Sequence, residues 1–366
     1  MAKELFIVDT TLRDGEQAPG VAFTKEEKVE IAKFLDSIGV NVIEAGIPAM
    51  GEEETETIKE IVSQCKNSEI ITWNRLKKSD IDSSIKTGVK MVHISAPASD
   101  IQIWNKLKKD RKWVLKEVQD VLGYAKSKGL EISFGAEDSS RANVDFLDKL
   151  YETAVKSGAT RVRYADTLGI LTPFDVLERI KRVRKKLNVQ IDFHGHNDFG
   201  MATANAVAAF RAGAEYISCS VNGLGERAGN TPLDEIVMAV RYLEKGHSDI
   251  NIKKFMELAE IVEKSSGRKI WDSKPVVGRR VFSHESGIHV DGIMKSPENY
   301  EFYPPEEVGR TREIVLGKHS GASTVVMKLK EVGITVSKLQ AADILKRCKD
   351  NFGKESIGDI CKLLNV

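Results

Sequence analysis

The chain has 366 residues, of which 41% are hydrophobic and 30% are charged, and its formal net charge is +1. A charge this close to zero argues against nucleic acid or a membrane surface as the main partner. The amino terminus has no signal-peptide pattern and no apolar run is long enough to span a bilayer, so we expect a cytoplasmic protein. None of the four cysteines forms a Cys-x-x-Cys pair, which argues against a zinc knuckle or a redox motif.

A recurring unit of amphipathic helix, Gly or Asn, and short apolar strand continues to about residue 245. Gly and Asn suit these joints because they tolerate the left-handed conformation that ends a helix. The eight predicted strands are Leu5–Asp9, Val40–Ala45, Ile70–Trp73, Val89–Ser95, Leu130–Phe134, Thr160–Ala165, Val189–Phe193 and Tyr216–Ser220.

Helices are predicted between the strands, for example at Lys25–Ile38, Arg111–Ser127 and Pro173–Lys186. Thr172 before Pro173 supplies an N-cap and a first-turn proline. Eight alternations of strand and helix predict an α/β fold, a closed parallel (β/α)₈ TIM barrel over residues 1–245. A doubly wound open sheet is the alternative, and it is less favoured because no Gly-x-Gly-x-x-Gly follows the first strand.

Residues 246–366 break this rhythm. We predict one helix at 251–265, an extended arm at 266–312, two helices within 322–351 and a short last helix at 356–364. We interpret this mostly helical C-terminal extension as a region that packs on the barrel of a partner subunit.

The reactive side chains follow the ends of the predicted strands, where TIM barrels carry their active sites. His194 and His196 are two residues apart on a strand, so both imidazoles face the same side. Asp14 follows the first strand, and Asn230 can add a carbonyl oxygen. This mixed oxygen and nitrogen set predicts a divalent metal, and Mg²⁺, Mn²⁺ and Zn²⁺ all suit it.

Two further features lie beside this group. The glycine-rich stretch Gly223–Gly229 follows the eighth strand, where barrels often bind phosphate through backbone N–H groups, although three glycines are also typical of an ordinary turn. Arg13 precedes Asp14 and can hold a carboxylate or an oxyanion. A structural ion pair between Arg13 and an acid such as Glu44 is the other interpretation.

Five motifs carry a family resemblance. They are Asp9–Gln17 (DTTLRDGEQ), His194–Asp198 (HGHND), Asn222–Asn230 (NGLGERAGN), Gly287–Gly292 (GIHVDG) and Gly317–Gly321 (GKHSG). With them the chain resembles the acetyl-CoA-dependent Claisen condensing enzymes, which include the 2-isopropylmalate, citramalate and homocitrate synthases. Within that family, Gly135–Arg141 and Ser283–His289 are most similar to homocitrate synthases of nitrogen-fixing bacteria.

The resemblance implies that a divalent metal binds a 2-oxo acid, that acetyl-CoA adds to it as an enolate, and that the thioester is then hydrolysed. With 2-oxoglutarate as acceptor, the products are homocitrate and CoA. It assigns metal binding to Asp14, His194, His196 and Asn230, catalysis to Arg13, Glu137 and His289, and contacts with the 2-oxo acid to Arg13, Gln17 and Thr167. We add His93 as a substrate contact and Asn222, Gly223 and Gly225 as CoA contacts.

Two expectations concern the subunit arrangement and the acceptor. His289 lies in the arm, so we expect a homodimer in which the arm enters the site of the other subunit. Lysine-pathway enzymes of the family carry an arginine where this chain has Ser133, and a histidine where it has Lys77. We therefore expect Lys77 or Arg163 to bind the distal carboxylate, unless Lys77 is simply solvated and Arg163 pairs with Glu137 or Asp166.

Three other functions stay open. A 2-isopropylmalate or citramalate synthase takes an acceptor with an apolar end, which would leave a buried cation unpaired in this pocket. An acyl-CoA lyase is less favoured because no cysteine lies within 283–292 or 317–321. A non-catalytic barrel is disfavoured by the joint presence of Asp14, His194, His196, Glu137 and His289.

Overall fold

The computed structural model describes residues 3–350, apart from the side chains of Cys348 and Asp350. The chain divides into two compact units, Met1–Ile270 and Trp271–Val366. The helix predicted at 356–364 lies outside the described residues. No helix among the described residues is both long enough and apolar enough to cross a membrane.

The first unit is a closed barrel of eight parallel strands in chain order, which confirms the predicted fold. The first strand pairs with both the second and the eighth, with Asp9 opposite Ile43 on one side and Cys219 on the other. The strands are β1 (Phe6–Asp9), β2 (Val42–Glu44), β3 (Glu69–Arg75), β4 (Met91–Pro97), β5 (Glu131–Glu137), β6 (Arg161–Asp166), β7 (Gln190–Gly195) and β8 (Tyr216–Cys219).

The barrel helices begin where the sequence supplies caps. Thr24 and Thr172 each form a capping box, with Glu27 and Asp175 respectively, which fixes the first turn of the helix that follows. The helices of this unit with ten or more residues are α1 (Lys25–Ser37), α2 (Glu52–Gln64), α3 (Lys78–Thr87), α4 (Arg111–Ser127), α5 (Val144–Lys156), α6 (Pro173–Lys186), α7 (Ala202–Ala212), α8 (Leu233–Leu243) and α9 (Phe255–Ser266).

An apolar layer fills the barrel near the N-terminal ends of the strands. It consists of Val8, Val42, Ile71, Met91 and Tyr216, all buried and in contact. Farther along the strands, buried residues such as Glu44, His93 and Asp192 are polar. The apolar layer holds the barrel together, and the C-terminal ends are left to the polar side chains.

Residues 246–270 belong to the barrel unit, so the predicted boundary at 245 lies too early. The α9 helix packs on α1, and the Asn251 N–H donates to the Ile38 carbonyl at 2.8 Å. The Asn222 side chain donates to the Ala259 carbonyl of α9 at 3.0 Å. The strand–helix rhythm ends at residue 245, but the buried face of α9 continues the barrel's outer layer.

Up to residue 350, the second unit contains three α-helices and a pair of two-residue parallel strands. The two helices expected within 322–351 are present, and Val325, Leu329 and Ile344 belong to their shared buried core. The elements are β9 (Ser283–His284), α10 (Gly287–Lys295), β10 (Glu313–Ile314), α11 (Ala322–Glu331) and α12 (Lys338–Asp350).

The segment expected to be an extended arm is partly helical, since α10 lies within 266–312. Its buried residues, Val290 and Ile293, are three apart, which is the spacing of one helix face. The many Gly, Pro and His residues around this pair obscure the pattern in the sequence. His289 therefore lies on a helix rather than on an extended strand.

Candidate active site

A cavity of about 240 Å³ lies at the C-terminal ends of the barrel strands. Loops and strand ends from both sides of the barrel contribute to it, as expected for this fold. The predicted site residues that line it are Arg13, Asp14, Gln17, His93, Glu137, Arg163, Thr167, His194 and His196. The residues that line it without having been predicted are Trp73, Ser95, Lys106, Gly135, Ala165, Glu226 and Arg227.

Asp14, His194 and His196 form a buried group whose ligand atoms lie within 4.8 Å of one another. The two Nε2 atoms are 3.1 Å apart, and the Asp14 Oδ2 lies 3.6 Å from that of His194 and 3.8 Å from that of His196. A point equidistant from these three atoms lies roughly 2 Å from each, within the ~2.0–2.2 Å of zinc bonds to nitrogen and oxygen. The three residues therefore fit a divalent cation.

Asn230 lies beside this group and contacts Asp14. Its Nδ2 donates to the Asp14 Oδ2 at 2.6 Å, and its buried Oδ1 has no hydrogen-bond partner among the described residues. Gly225 permits this approach, because a Cβ there would lie 2.4 Å from the Asn230 Nδ2. An unpaired buried amide oxygen beside a carboxylate is a suitable additional donor for a cation.

The charges of the group also suit a metal. Burial raises the pKa of Asp14, but Arg13 and the two histidines outweigh it and lower that pKa to about 2. Burial lowers the pKa of His194 well below its usual value, and the neighbouring His196 adds to the effect. Burial likewise lowers the pKa of His196. The site thus offers an ionised carboxylate and two neutral imidazoles, the forms that bind metal.

The loop after β1 aims Asp14 at this position. Residues Thr11–Gly15 form a single π-helical turn in which the N–H groups of Arg13, Asp14 and Gly15 all donate to the Thr10 carbonyl. Such turns are frequent at functional sites because they change the direction of a side chain within one turn. The motif that contains Arg13 and Asp14 therefore places both on the cavity wall.

Four ion pairs form a buried chain beneath the cavity. The Arg13 Nη1 contacts the Asp14 Oδ1 at 2.9 Å, and its Nε donates to the Glu44 Oε1 at 2.5 Å. The Arg163 Nη1 lies 2.9 Å from the Glu44 Oε2, and its Nε donates to the Asp192 Oδ2 at 2.6 Å. Glu44 is thus the carboxylate shared by both arginines.

Glu44 is fully buried, and burial opposes its charge, yet Arg13 and Arg163 hold the pKa of its carboxyl below the usual range. Arg13 forms the ion pair with Glu44 that the sequence suggested, and it also lines the cavity beside Asp14. Its binding of a carboxylate or an oxyanion stays a prediction.

Arg163 makes neither of the alternative ion pairs suggested by the sequence. It pairs with Glu44 and Asp192 rather than with Glu137 or Asp166, because Asp192 is its direct register partner on β7 and Glu44 faces it across the barrel. Its Nη2 is buried and has no hydrogen-bond partner among the described residues. Arg163 therefore retains one donor at the cavity.

Lys77 does not line the cavity. It is an exposed residue with extended backbone angles that immediately precedes the first turn of α3. Lys106, which the sequence prediction missed, lines the cavity instead and holds both oxygens of Glu137, at 2.7 and 2.8 Å. The run of cations at 106–112 could have indicated a cation near the cavity. It was missed because it does not directly follow the end of β4 in the sequence.

The remaining substrate-contact predictions are distributed around the wall. His93 is buried, and its Nδ1 lies 2.9 Å from the Oγ of Ser133, its register partner on β5. Burial and the nearby Arg163 lower the pKa of His93 well below its usual value. Thr167 accepts the backbone N–H of Asp138 at 2.8 Å, whereas Gln17 is exposed at the rim.

The residues predicted to bind CoA, namely Asn222, Gly223 and Gly225, do not line this cavity. Asn222 has a φ of 58° and is tied to α9 through its side chain. Gly223 has a φ of 72° and its carbonyl accepts the N–H of Asn230. The glycine-rich loop therefore supports Asn230, and its assignment to CoA stays a prediction.

His289 belongs to the second unit, where it lies in the first turn of α10. Its imidazole is exposed and stacks on the ring of Tyr300, with the centroids 4.2 Å apart. Tyr300 is a neighbour that the sequence prediction did not include.

The family described as HMGL-like matches residues 4–262, the whole of the barrel. The chain belongs to this HMGL-like family. A second family, described as homocitrate synthase post-HMGL domain-like, matches residues 276–355. Each match lies within one of the two compact units, and the predicted resemblance is confirmed at the level of the family.

Relatives of this HMGL-like protein are synthases. The protein named 2-isopropylmalate synthase 2 from Caldanaerobacter subterraneus subsp. tengcongensis is 47% identical over 93% of this chain and 88% of that protein. Homocitrate synthase 1 from Nostoc sp. is 44% identical over 93% of this chain and 91% of that protein. Proteins named as (R)-citramalate synthases match at 42% identity. The prediction of an enzyme is therefore confirmed, and the type of synthase is left open.

Solved structures support the fold of the HMGL-like barrel. The HMG-CoA lyase of Bacillus subtilis superposes with a TM-score of 0.67, covering 75% of this chain and 97% of that one. The sequence identity is 18%, so the likeness concerns the barrel architecture alone.

Proposed function

We propose that this enzyme condenses acetyl-CoA with a 2-oxo acid and hydrolyses the thioester, with 2-oxoglutarate as the preferred acceptor and homocitrate as the product. The observation that carries the proposal is the polarity of the cavity beside the Asp14, His194 and His196 group. Among the described residues, every residue that lines it has a polar or charged side chain except Trp73, Gly135 and Ala165. Such a wall favours an acceptor that is polar at both ends.

The alternative acceptor, 2-oxoisovalerate, ends in an isopropyl group. That group would contact charged and imidazole side chains and leave them without hydrogen-bond partners, which is costly in a buried site. The distal carboxylate of 2-oxoglutarate instead needs a cation across the cavity from the metal group. Lys106 follows β4, on the side of the barrel opposite to β7, β8 and β1, which supports it as that cation.

The catalytic roles follow from the same geometry. Asp14, His194, His196 and Asn230 would hold a divalent metal, Mg²⁺, Mn²⁺ or Zn²⁺, which when bound supplies Lewis-acid polarisation of the acceptor's keto oxygen. The Arg13 guanidinium beside Asp14 stabilises negative charge that develops on that oxygen.

Proton transfer falls to Glu137 and His289. In the free enzyme, Lys106 holds both oxygens of Glu137. When Lys106 binds the distal carboxylate, one Glu137 oxygen becomes free to hold a proton at the cavity. A methyl proton passes from acetyl-CoA to one of these two groups, and the new C–C bond forms at the keto carbon while the keto oxygen takes up a proton. Water then breaks the thioester C–S bond, its oxygen joins the acyl carbon, and one of its protons goes to the CoA sulfur. Water is consumed, and homocitrate and CoA are the products.

Substituting Lys106 with methionine should raise the KM for 2-oxoglutarate about 10-fold, because the Lys106 side chain is half exposed and a charged hydrogen bond there is worth about 1.5 kcal/mol at most. The KM for pyruvate, which has no distal carboxylate, should change little. The assay is CoA release with pyruvate, 2-oxoisovalerate, oxaloacetate and 2-oxoglutarate as acceptors.

Lys77→Met is the matched control, since Lys77 is exposed and away from the cavity, and it should leave the acceptor preference intact. If Lys106→Met raises the KM for pyruvate and the KM for 2-oxoglutarate by the same factor, Lys106 does not bind the distal carboxylate. If the unmodified enzyme prefers 2-oxoisovalerate, it is a 2-isopropylmalate synthase, the function that the 47% identical relative favours.

We also propose a cytoplasmic homodimer in which His289 of one subunit acts at the barrel of the other. The support is that His289 is exposed on a compact unit separate from the barrel, while its motif matches a catalytic position of the family. Mixing inactive His289→Ala with inactive His196→Ala subunits should then restore part of the activity, because one intact site forms in each mixed dimer.

The mixture requires proof of subunit exchange, for example by native mass spectrometry of tagged subunits. Mixed dimers that form but stay inactive would show that each subunit uses its own His289. A single-subunit mass in solution would rule out the exchange altogether.

A further inference from the structure

The segment between β4 and α4 forms an exposed turn beside the catalytic cavity. We name residues 100–109 the β4 turn. It contains a second π-helical turn, Ile103–Leu107, which is anchored by the buried side chain of Ile103. Trp104 projects from this turn with 63% of its surface exposed. The indole is thus a large, rigid, aromatic surface held on an anchored turn.

One lysine lies beside the exposed indole, and the next residue in the chain is a second lysine that lies beside a neighbouring indole. The Lys108 Nζ lies 5.8 Å from the centroid of the Trp104 ring, and the Lys109 Nζ lies 5.5 Å from that of Trp113. Lys108 has a φ of 53°, a left-handed conformation that is strained for a lysine and ends the turn. The strained residue is therefore the one whose side chain lies beside Trp104.

The acids of the same region are already engaged. Asp100 pairs with Arg111, and Asp110 caps α4 by accepting the N–H of Trp113. Among the described residues, neither Lys108 nor Lys109 forms a salt bridge to a carboxylate, so both ammonium groups are available to an anion from solution.

The β4 turn is continuous with the catalytic cavity through Lys106. Lys106 lies between Trp104 and Lys108 in the chain, lines the cavity and contacts Glu137. A ligand that occupies both places needs a small reactive group in the cavity and an aromatic, multiply anionic group outside it. Acetyl-CoA has this form, with a thioester at one end and a purine with three phosphates at the other.

We propose that Trp104, Lys108 and Lys109 bind the 3′-phospho-ADP end of acetyl-CoA. The adenine stacks on the Trp104 indole, as bases stack on exposed aromatic side chains. The two lysines neutralise phosphate groups as point charges. The inference rests on the proposed use of acetyl-CoA, and it moves the nucleotide away from the glycine-rich loop at Asn222–Gly225.

The test compares acetyl-CoA with acetylpantetheine, which carries the same thioester but lacks the nucleotide. Trp104→Ala, and separately the double change Lys108→Glu with Lys109→Glu, should each raise the KM for acetyl-CoA roughly 10-fold. The KM for acetylpantetheine and the KM for 2-oxoglutarate should stay as in the unmodified enzyme. The effect of the lysines should shrink as salt rises, because exposed charges are screened.

Lys128→Glu is the matched control. Lys128 is an exposed lysine at the far end of α4, and its Nζ lies 5.0 Å from the Tyr124 ring, so the change reverses an equivalent charge beside an equivalent aromatic ring. It should leave the KM for acetyl-CoA unchanged. The proposal would be overturned if the β4 turn variants raised the KM for acetyl-CoA and the KM for acetylpantetheine equally. It would also be overturned if none of these variants changed the KM for acetyl-CoA.

Calorimetric titration of the full chain with CoA separates this inference from the proposed function, since binding needs no turnover. If no 2-oxo acid yields CoA release but CoA binds and Trp104→Ala weakens its binding, the subsite stands and the condensation is wrong. If 2-oxoglutarate supports turnover while the β4 turn variants bind CoA as tightly as the unmodified enzyme, the condensation stands and the subsite is wrong.

Discussion

Replacing Glu44 with glutamine is expected to lower the free energy of unfolding by about 3–5 kcal/mol, the usual cost of removing one partner from a buried ion pair. Glu44 is fully buried, and it is the carboxylate that Arg13 and Arg163 share. The glutamine has the same shape but no charge, so both guanidinium groups lose their common counterion. Urea-induced unfolding followed by circular dichroism measures the loss.

Catalysis should fall with Glu44→Gln as well, because Arg13 is held between Glu44 and Asp14. Glu60→Gln is the matched control, since Glu60 pairs with Lys25 at 2.7 Å on the surface, where both side chains are about 40% exposed. Such a pair contributes about 0–1 kcal/mol. A Glu44→Gln protein as stable as the Glu60→Gln protein would show that the Glu44 carboxylate does not stabilise the buried chain of ion pairs.

Replacing His194 with alanine is expected to abolish metal binding and nearly all activity while the barrel stays folded. Changing a residue that only supports a metal ligand usually lowers metal affinity or activity about 10- to 100-fold. Removing a direct ligand should therefore lower them more than about 100-fold. Bound metal is measured by elemental analysis after dialysis, and folding by circular dichroism.

His247→Ala is the control for His194→Ala, because His247 is an exposed histidine paired with Asp249 away from the cavity. It should retain both metal and turnover. Chelation of the unmodified enzyme followed by addition of Mg²⁺, Mn²⁺ or Zn²⁺ identifies the ion that restores activity. A His194→Ala enzyme that keeps stoichiometric metal and full turnover would contradict the proposed ligand set.

The sequence alone predicts the barrel and the metal-binding group, because both depend on local patterns. Strands alternate with helices at fixed intervals, and joints occupied by Gly or Asn mark each turn. His194 and His196 need only the two-residue period of a strand to share a face, and Asp14 needs only to follow β1. Closing the barrel then brings β7 and β1 to opposite sides of β8, which lets these three residues meet.

Only the tertiary structure decides the partners of the charged side chains and the limits of the units. Arg163 meets Glu44 and Asp192 because β2, β6 and β7 point these residues inward, and no short-range spacing in the sequence encodes that convergence. Lys106 lies on a π-helical turn in the longer loop after β4 and lines the cavity, whereas the loop after β3 leads directly into α3 and Lys77 does not line it. Periodicity identifies which face of an element is buried, but side-chain contacts across the barrel depend on strand register and loop path, which are set when the sheet closes.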